Sequence, residues 1–176
     1  MRNLAIGNVG LCGDYEVLEE ARRHFNLFLG CDPTALHPDL RTTIYQIVLS
    51  LGGDTEYQAL KKIYHETKNP DQKLSALTVL GYVTQPALIN DALNFSISDE
   101  VRTQDLDYLI STLSFNSHSR RTSWVFVKSH WGLFEERYSS NLVALGNLIK
   151  DITSNFTTEV DACDVEKFSL TRTSPN

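Results

Sequence analysis

The chain has 176 residues, 41% hydrophobic and 22% charged, the balance of a globular protein large enough to bury a core without disulfides or a structural metal. Sixteen Lys and Arg against twenty-two Asp and Glu leave a net charge of −6, which argues against a strong sequence-independent affinity for nucleic acid or anionic lipid. Cys12, Cys31 and Cys163 make neither a disulfide framework nor a C-x-x-C pair; they read as small buried apolar groups in a reducing compartment, the cytoplasm. Residues 1–14 hold no apolar run of the kind a secretory signal or a membrane span needs. Without an export signal, the sequons at Asn94 and Asn155 read as chance matches.

Apolar residues recur at intervals of three and four, the period of an amphipathic helix. Leu18, Ala21, Phe25 and Phe28 form a first stripe, Ile44, Ile47 and Leu51 a second, and Leu60, Ile63 and Tyr64 a third. Further stripes run through Leu74–Leu80, Leu88–Leu93 and Leu106–Leu113. The longest are Trp124, Val127, Trp131, Phe134 and Tyr138, then Leu142, Leu145, Ile149, Ile152 and Phe156. The pattern predicts about ten helices, near residues 2–11, 14–29, 38–51, 54–68, 70–83, 86–96, 102–115, 119–138, 140–155 and 158–168. Pro38, Pro70 and Pro86 suit first turns, with Asn69 capping before Pro70. Gly13, Gly30 and Gly52-Gly53 are placed to end helices in the left-handed conformation, with Asp14 and Asp54 as the next caps.

Helix pairs beginning near Asp14, Asp54, Pro86 and Ser119 recur at 40, 32 and 33 residues. That period predicts an all-α fold, a right-handed α-solenoid of irregular HEAT-like antiparallel helix pairs, with an ordinary helical bundle as the alternative. No linker composition divides the chain, so residues 1–168 are expected to form one domain and 169–176 a frayed tail.

Catalytic motifs are incomplete. His65-Glu66-Thr67-Lys68-Asn69 begins like H-E-x-x-H but has Asn where a second imidazole is required, so it cannot hold zinc by itself. His24, His37, His118 and His130 are too widely spaced for a local ligand pair. Gly7, Gly10 and Gly13 form no phosphate loop, and no G-x-S-x-G elbow exists. The basic doublets Arg22-Arg23, Lys61-Lys62 and Arg120-Arg121 read as solvated helix faces paired with Glu19, Glu20 or Glu66.

Several segments go beyond periodicity. Leu11-Cys12-Gly13-Asp14, Glu19-Glu20-Ala21-Arg22-Arg23-His24-Phe25 and Pro38-Asp39-Leu40-Arg41-Thr42-Thr43-Ile44-Tyr45 come first, followed by Val101-Arg102-Thr103-Gln104-Asp105. Arg120-Arg121-Thr122-Ser123-Trp124-Val125-Phe126-Val127-Lys128 with Trp131, Glu135-Glu136-Arg137-Tyr138 and Val165-Glu166-Lys167-Phe168 complete the series. In this order they resemble the C-terminal domain of zinc aminopeptidases of the aminopeptidase N and puromycin-sensitive type. Ser119 stands where that family usually has Gly, and His130 where it usually has Asn.

The resemblance implies a HEAT-like, non-catalytic domain that walls the peptide-substrate chamber and regulates access to a thermolysin-like catalytic domain. Zinc, the H-E-x-x-H motif and hydrolysis belong to that other domain, so no cofactor and no metal are expected in this chain. The implied partners are the aminopeptidase catalytic domain and its peptide substrate. Against the family pattern the chain reads as missing helices at both ends, which would favour self-association through exposed solenoid ends; nucleic acid and membrane are not expected partners. Arg102, Gln104 and Arg120 lie in the most family-like segments and are the candidates for peptide contact, since a guanidinium suits a substrate carboxylate. The competing role for Arg102 or Arg120 is an ion pair with Asp105 that fixes neighbouring helices. A free-standing helical-repeat interaction module derived from such an enzyme is the alternative function.

Overall fold

The computed structural model describes residues 2–30, 32 and 34–173. Its helices are α1 (Arg2–Leu11), α2 (Tyr15–Leu29), α3 (Arg41–Ser50), α4 (Asp54–Glu66), α5 (Pro70–Val79), α6 (Pro86–Ser96), α7 (Thr103–Phe115), α8 (Arg120–Ser129), α9 (Trp131–Arg137), α10 (Leu142–Thr153) and α11 (Glu159–Thr173), with 3₁₀ turns at Pro38–Leu40 and Leu80–Tyr82. No strand occurs among the described residues. The chain is all-α, as the periodicity predicts.

Side-chain caps fix several of the helix starts. Asp14 accepts from the Val17 N–H at the start of α2, and Asn69 accepts from the Asp71 and Gln72 N–H groups ahead of Pro70. Asp54 is not the cap of α4. It is the first helical residue, and the Glu56 carboxylate instead reaches back to the Gly53 N–H at 2.8 Å. Of the glycines proposed as left-handed stops, Gly13 has φ +84°, whereas Gly30 closes α2 at φ −74° with its N–H donating to the Asn26 carbonyl.

The long helix predicted over 119–138 is two helices. His130, at φ −108° and ψ 20°, ends α8 and begins α9. The apolar stripe survives the break, since Trp124, Val127, Trp131, Phe134 and Tyr138 are all buried. On α10 the buried side is Leu145, Leu148 and Ile152, while Leu142 is 69% exposed. In α11 the helix continues through Thr173, beyond the predicted end at 168 and into the expected tail, with the Ser169 hydroxyl donating to the Val165 carbonyl. Residues 174–176 lie outside the described residues.

Packing sorts the helices into two layers. Helices α1, α3, α5, α7 and α10 lie side by side, each packed directly on the next, while α2, α4, α6 and α8 cover them and are not comparably packed on one another. A stack of two unequally spaced layers curves with the tighter one inside, which puts α1, α3, α5, α7 and α10 on the concave side. Close approach within that layer explains Gly81: a Cβ there would lie 2.6 Å from Thr112 Cβ and 2.9 Å from the Leu113 nitrogen. Asn116 locks the same contact by donating to the Gly81 and Val83 carbonyls.

The looser outer layer is bridged by long polar side chains. Tyr57 and Lys61 of α4 both donate to Asp91 of α6, at 2.7 and 2.9 Å. Trp124 and Lys128 of α8 both donate to Asp164 of α11, at 2.7 and 2.5 Å. In each case the lysine also lies over the aromatic ring four residues before it. Side-chain hydrogen bonds between helix pairs span from 30 residues (Lys61 to Asp91) to 40 (Trp124 to Asp164). That is the spacing of a stack in which each repeat touches its neighbours.

Candidate functional site

The Arg102-Thr103-Gln104-Asp105 segment starts α7 on the concave layer. Arg102 occupies the N-cap position without a side-chain cap bond, a poor place for a cation beside the positive end of a helix dipole. Asp105, one turn on, compensates. Its carboxylate is buried and accepts from Arg102 Nε at 2.7 Å, while 59% of the Arg102 side chain remains exposed. The ion pair considered from sequence therefore forms at Arg102, and it leaves much of the guanidinium facing solvent.

Arg102 and Gln104 open onto a cleft of about 430 Å³ between the start of α7 and the turn into α10, shared with Asp107, Arg137, Tyr138 and Asn141. Asn141 caps α10 through the Ala144 N–H. Arg137 donates to the Ile97 and Ser98 carbonyls at 2.5 and 3.2 Å, tying α9 to the end of α6. The Tyr138 hydroxyl donates a short hydrogen bond to Asp107. Burial pushes the Asp107 carboxyl above its ordinary pKa; the Tyr138 bond opposes this and the charge of Asp151 reinforces it. Burial and the bond to Asp107 in turn raise the Tyr138 phenol.

Arg120 does not share this cleft. Its guanidinium donates to the Ser114, Phe115 and Asn155 carbonyls, capping the far end of α7, about 20 Å away along a helix rising ~1.5 Å per residue. Neither Arg137 nor Tyr138 is a site candidate in the sequence, where Tyr138 reads as the end of an apolar stripe. The one signal is the family-like Glu135-Glu136-Arg137-Tyr138 run, which reaches the segment before Arg102 through a contact spanning 40 residues, Arg137 to the Ile97 carbonyl.

Among the described residues, the segment resembling H-E-x-x-H gathers no zinc-ligand set. Asn69 is committed to capping α5, His65 lies 3.3 Å from Glu100, and no three His, Cys, Asp or Glu side chains converge among the described residues. Cys12 and Cys163 are exposed free thiols rather than buried apolar groups, Cys12 in the turn after α1 and Cys163 on the surface of α11; Cys31 lies outside the described residues. Trp124 and Trp131 are buried against Phe168.

Comparison with known proteins agrees with this architecture. Residues 1–176 match the family described as the ERAP1-like C-terminal domain. The chain belongs to that family. It is 30% identical over 175 residues to aminopeptidase M1-D of Oryza sativa subsp. japonica, covering 98% of this chain and 20% of the relative. Aminopeptidase M1 of Arabidopsis thaliana is 30% identical over 180 residues, with 100% and 20% covered. Aminopeptidase N of Canis lupus familiaris is 26% identical over 134 residues, with 76% and 14% covered. The chain thus spans about a fifth of the length of the M1 relatives it matches.

Within this ERAP1-like domain the two departures from the family pattern have local uses. Ser119 is buried and donates to the Leu113 carbonyl at 2.6 Å. His130 stacks on Phe126, with ring centroids 4.1 Å apart, at the α8–α9 break.

Proposed function

We propose that this ERAP1-like domain is a non-catalytic wall of a peptide chamber, completed by an aminopeptidase catalytic domain that holds the zinc and performs the hydrolysis. The observation that carries the reading is the cleft on the concave layer, where Arg102 and Gln104 meet at the start of α7. An exposed guanidinium anchored from behind by a buried carboxylate is pre-positioned to receive a peptide carboxylate, and Gln104 adds a neutral donor and acceptor for the backbone. Arg120 contributes by fixing the other end of α7. The same reading places the domain in the cytoplasm, in keeping with two exposed, unbridged cysteines; no described helix is long and apolar enough to cross a membrane.

The test is functional. The purified chain alone should release no arylamine from amino-acid arylamides, and should restore cleavage of long peptides when added to an aminopeptidase M1 lacking the matching segment. Chelator-sensitive turnover by the chain itself would overturn the proposal. Stable capture of an unrelated protein, with no effect on the truncated enzyme, would favour an independent interaction module.

A further inference from the structure

The exposed side of α7 carries Gln104, Asp107, Tyr108, Ser111 and Phe115, spaced so that they form one line along the concave layer. Beyond the cleft this line enters a groove of about 320 Å³, where Asp107, Tyr108, Ser111 and Phe115 meet Thr78 of α5 and Asp151 of α10. Two features set the groove apart. Tyr108 is 50% and Phe115 55% exposed, an apolar display on a helix whose other large side chains are buried. The two charges are both negative, and neither carboxylate makes an ion pair among the described residues. The arginines of the adjoining cleft pair with neither carboxylate: Arg102 bonds to Asp105 and Arg137 to the carbonyls at the end of α6.

We propose that this groove holds a basic side chain, Lys or Arg, of a bound peptide, with Tyr108 and Phe115 flanking its methylene stem and Asp107 and Asp151 receiving its charge. The argument is charge and shape complementarity. A Lys or Arg side chain is an apolar stem with a cationic head, and the groove joins an apolar lining to two carboxylates. An acidic side chain would add a third negative charge, and a purely apolar one would bury the rims of two carboxylates without a counter-ion. Aromatic faces and carboxylates together favour a cation more than either alone. The raised Asp107 carboxyl is what a partly buried acid without a nearby cation shows.

This inference rests on the reading of the concave layer as a peptide wall, and the experiment separates the two. Fluorescently labelled decapeptides, each carrying one Lys or one norleucine at successive positions, are titrated against the full chain by anisotropy. At one or two positions the Lys peptide should bind about five- to tenfold tighter than its norleucine twin. Asp151→Asn, at an exposed position, should reduce that ratio to about twofold or less, and Tyr108→Ala should reduce it in the same way. Arg102→Ala should weaken both peptides of a pair equally. Circular dichroism checks that each variant is folded. Equal binding of Lys and norleucine peptides at every position, with loss in Arg102→Ala, would overturn the basic-side-chain groove and leave the peptide wall standing. No binding by any peptide would overturn both.

Discussion

The two outer-layer clasps, Tyr57–Lys61–Asp91 and Trp124–Lys128–Asp164, do the same work in different settings. In both, an aromatic donor and the lysine four residues later converge on one aspartate of the next helix pair. Their aspartates are almost equally exposed, 46% and 45% at the side chain. The first clasp joins α4 to α6 in mid-stack, and Tyr57 is fully buried; its lysine also lies over Phe95 at 4.6 Å. The second holds α11, whose Phe168 packs edge-on against Trp124 and Trp131 and whose Asp161 pairs with Arg121 of α8. One motif can therefore be a keystone or a latch, depending on whether neighbours back it from both sides.

Breaking the clasps should separate those roles. The largest effect is expected from Asp91→Ala, which strands a fully buried tyrosine's hydroxyl and a mostly buried ammonium. A loss of about 2–4 kcal/mol of global stability is expected, read as a single cooperative shift in urea. Asp164→Ala should cost less, about 1–2 kcal/mol, and the loss should concentrate in α11. Amide exchange would accelerate across Glu159–Thr173 while α3 to α7 keep their protection. Uniform acceleration along the whole chain would show that α11 is not a separable latch.

The lysines allow a finer cut. Lys61→Met and Lys128→Met keep the stem over the ring and remove only the charge, for about 0.5–1.5 kcal/mol. The larger loss is expected at Lys61, which faces two rings. The pH dependence gives the sign. Burial works to raise the Asp91 pKa, but the Tyr57 and Lys61 bonds outweigh it and hold it below the ordinary value; at Asp164 the Lys128 and Trp124 bonds do the same with little burial to oppose them. A lowered folded pKa gives stability that is present above the ordinary aspartate range and lost as pH falls through the folded value. Removing either lysine should move the acid-unfolding midpoint to higher pH.

How far these clasps could be read in the sequence shows which physics is local. Stripes such as Trp124 to Tyr138 are legible because burial is periodic, and their register persists through the break at His130, where only the backbone departs from the helix. The Arg102–Asp105 pair is legible because its partners are one turn apart. Leu142 misleads: it continues the 3,4 spacing but sits exposed in the first turn of α10 rather than under a neighbour. The aspartate ends of the clasps are 30 to 40 residues from their donors, so only the aromatic-x-x-x-Lys half, at Tyr57–Lys61 and Trp124–Lys128, leaves a local trace. The pairing of Arg102 with Gln104 at one cleft, and the separation of Arg120 from it, depend in the same way on how repeats stack.

Asp107 completes the comparison, because it accepts from an aromatic hydroxyl, that of Tyr138, but has no lysine. Its pKa moves the opposite way, upward, with burial as the main cause. The native state then binds its proton more tightly than the unfolded chain does, so stability falls as pH rises from the ordinary aspartate range through the folded value. Asp107→Asn keeps an acceptor for Tyr138 and removes the charge. At acid pH the variant should melt with the parent; at neutral pH it should melt higher, by roughly 1–3 °C. A lower melting temperature at neutral pH would mean that the carboxylate already has a counter-charge, and that lysine is not what distinguishes Asp91 and Asp164 from it. The expected gain would instead identify Asp107 as a clasp left open on the concave side, where a cation from outside the chain can close it.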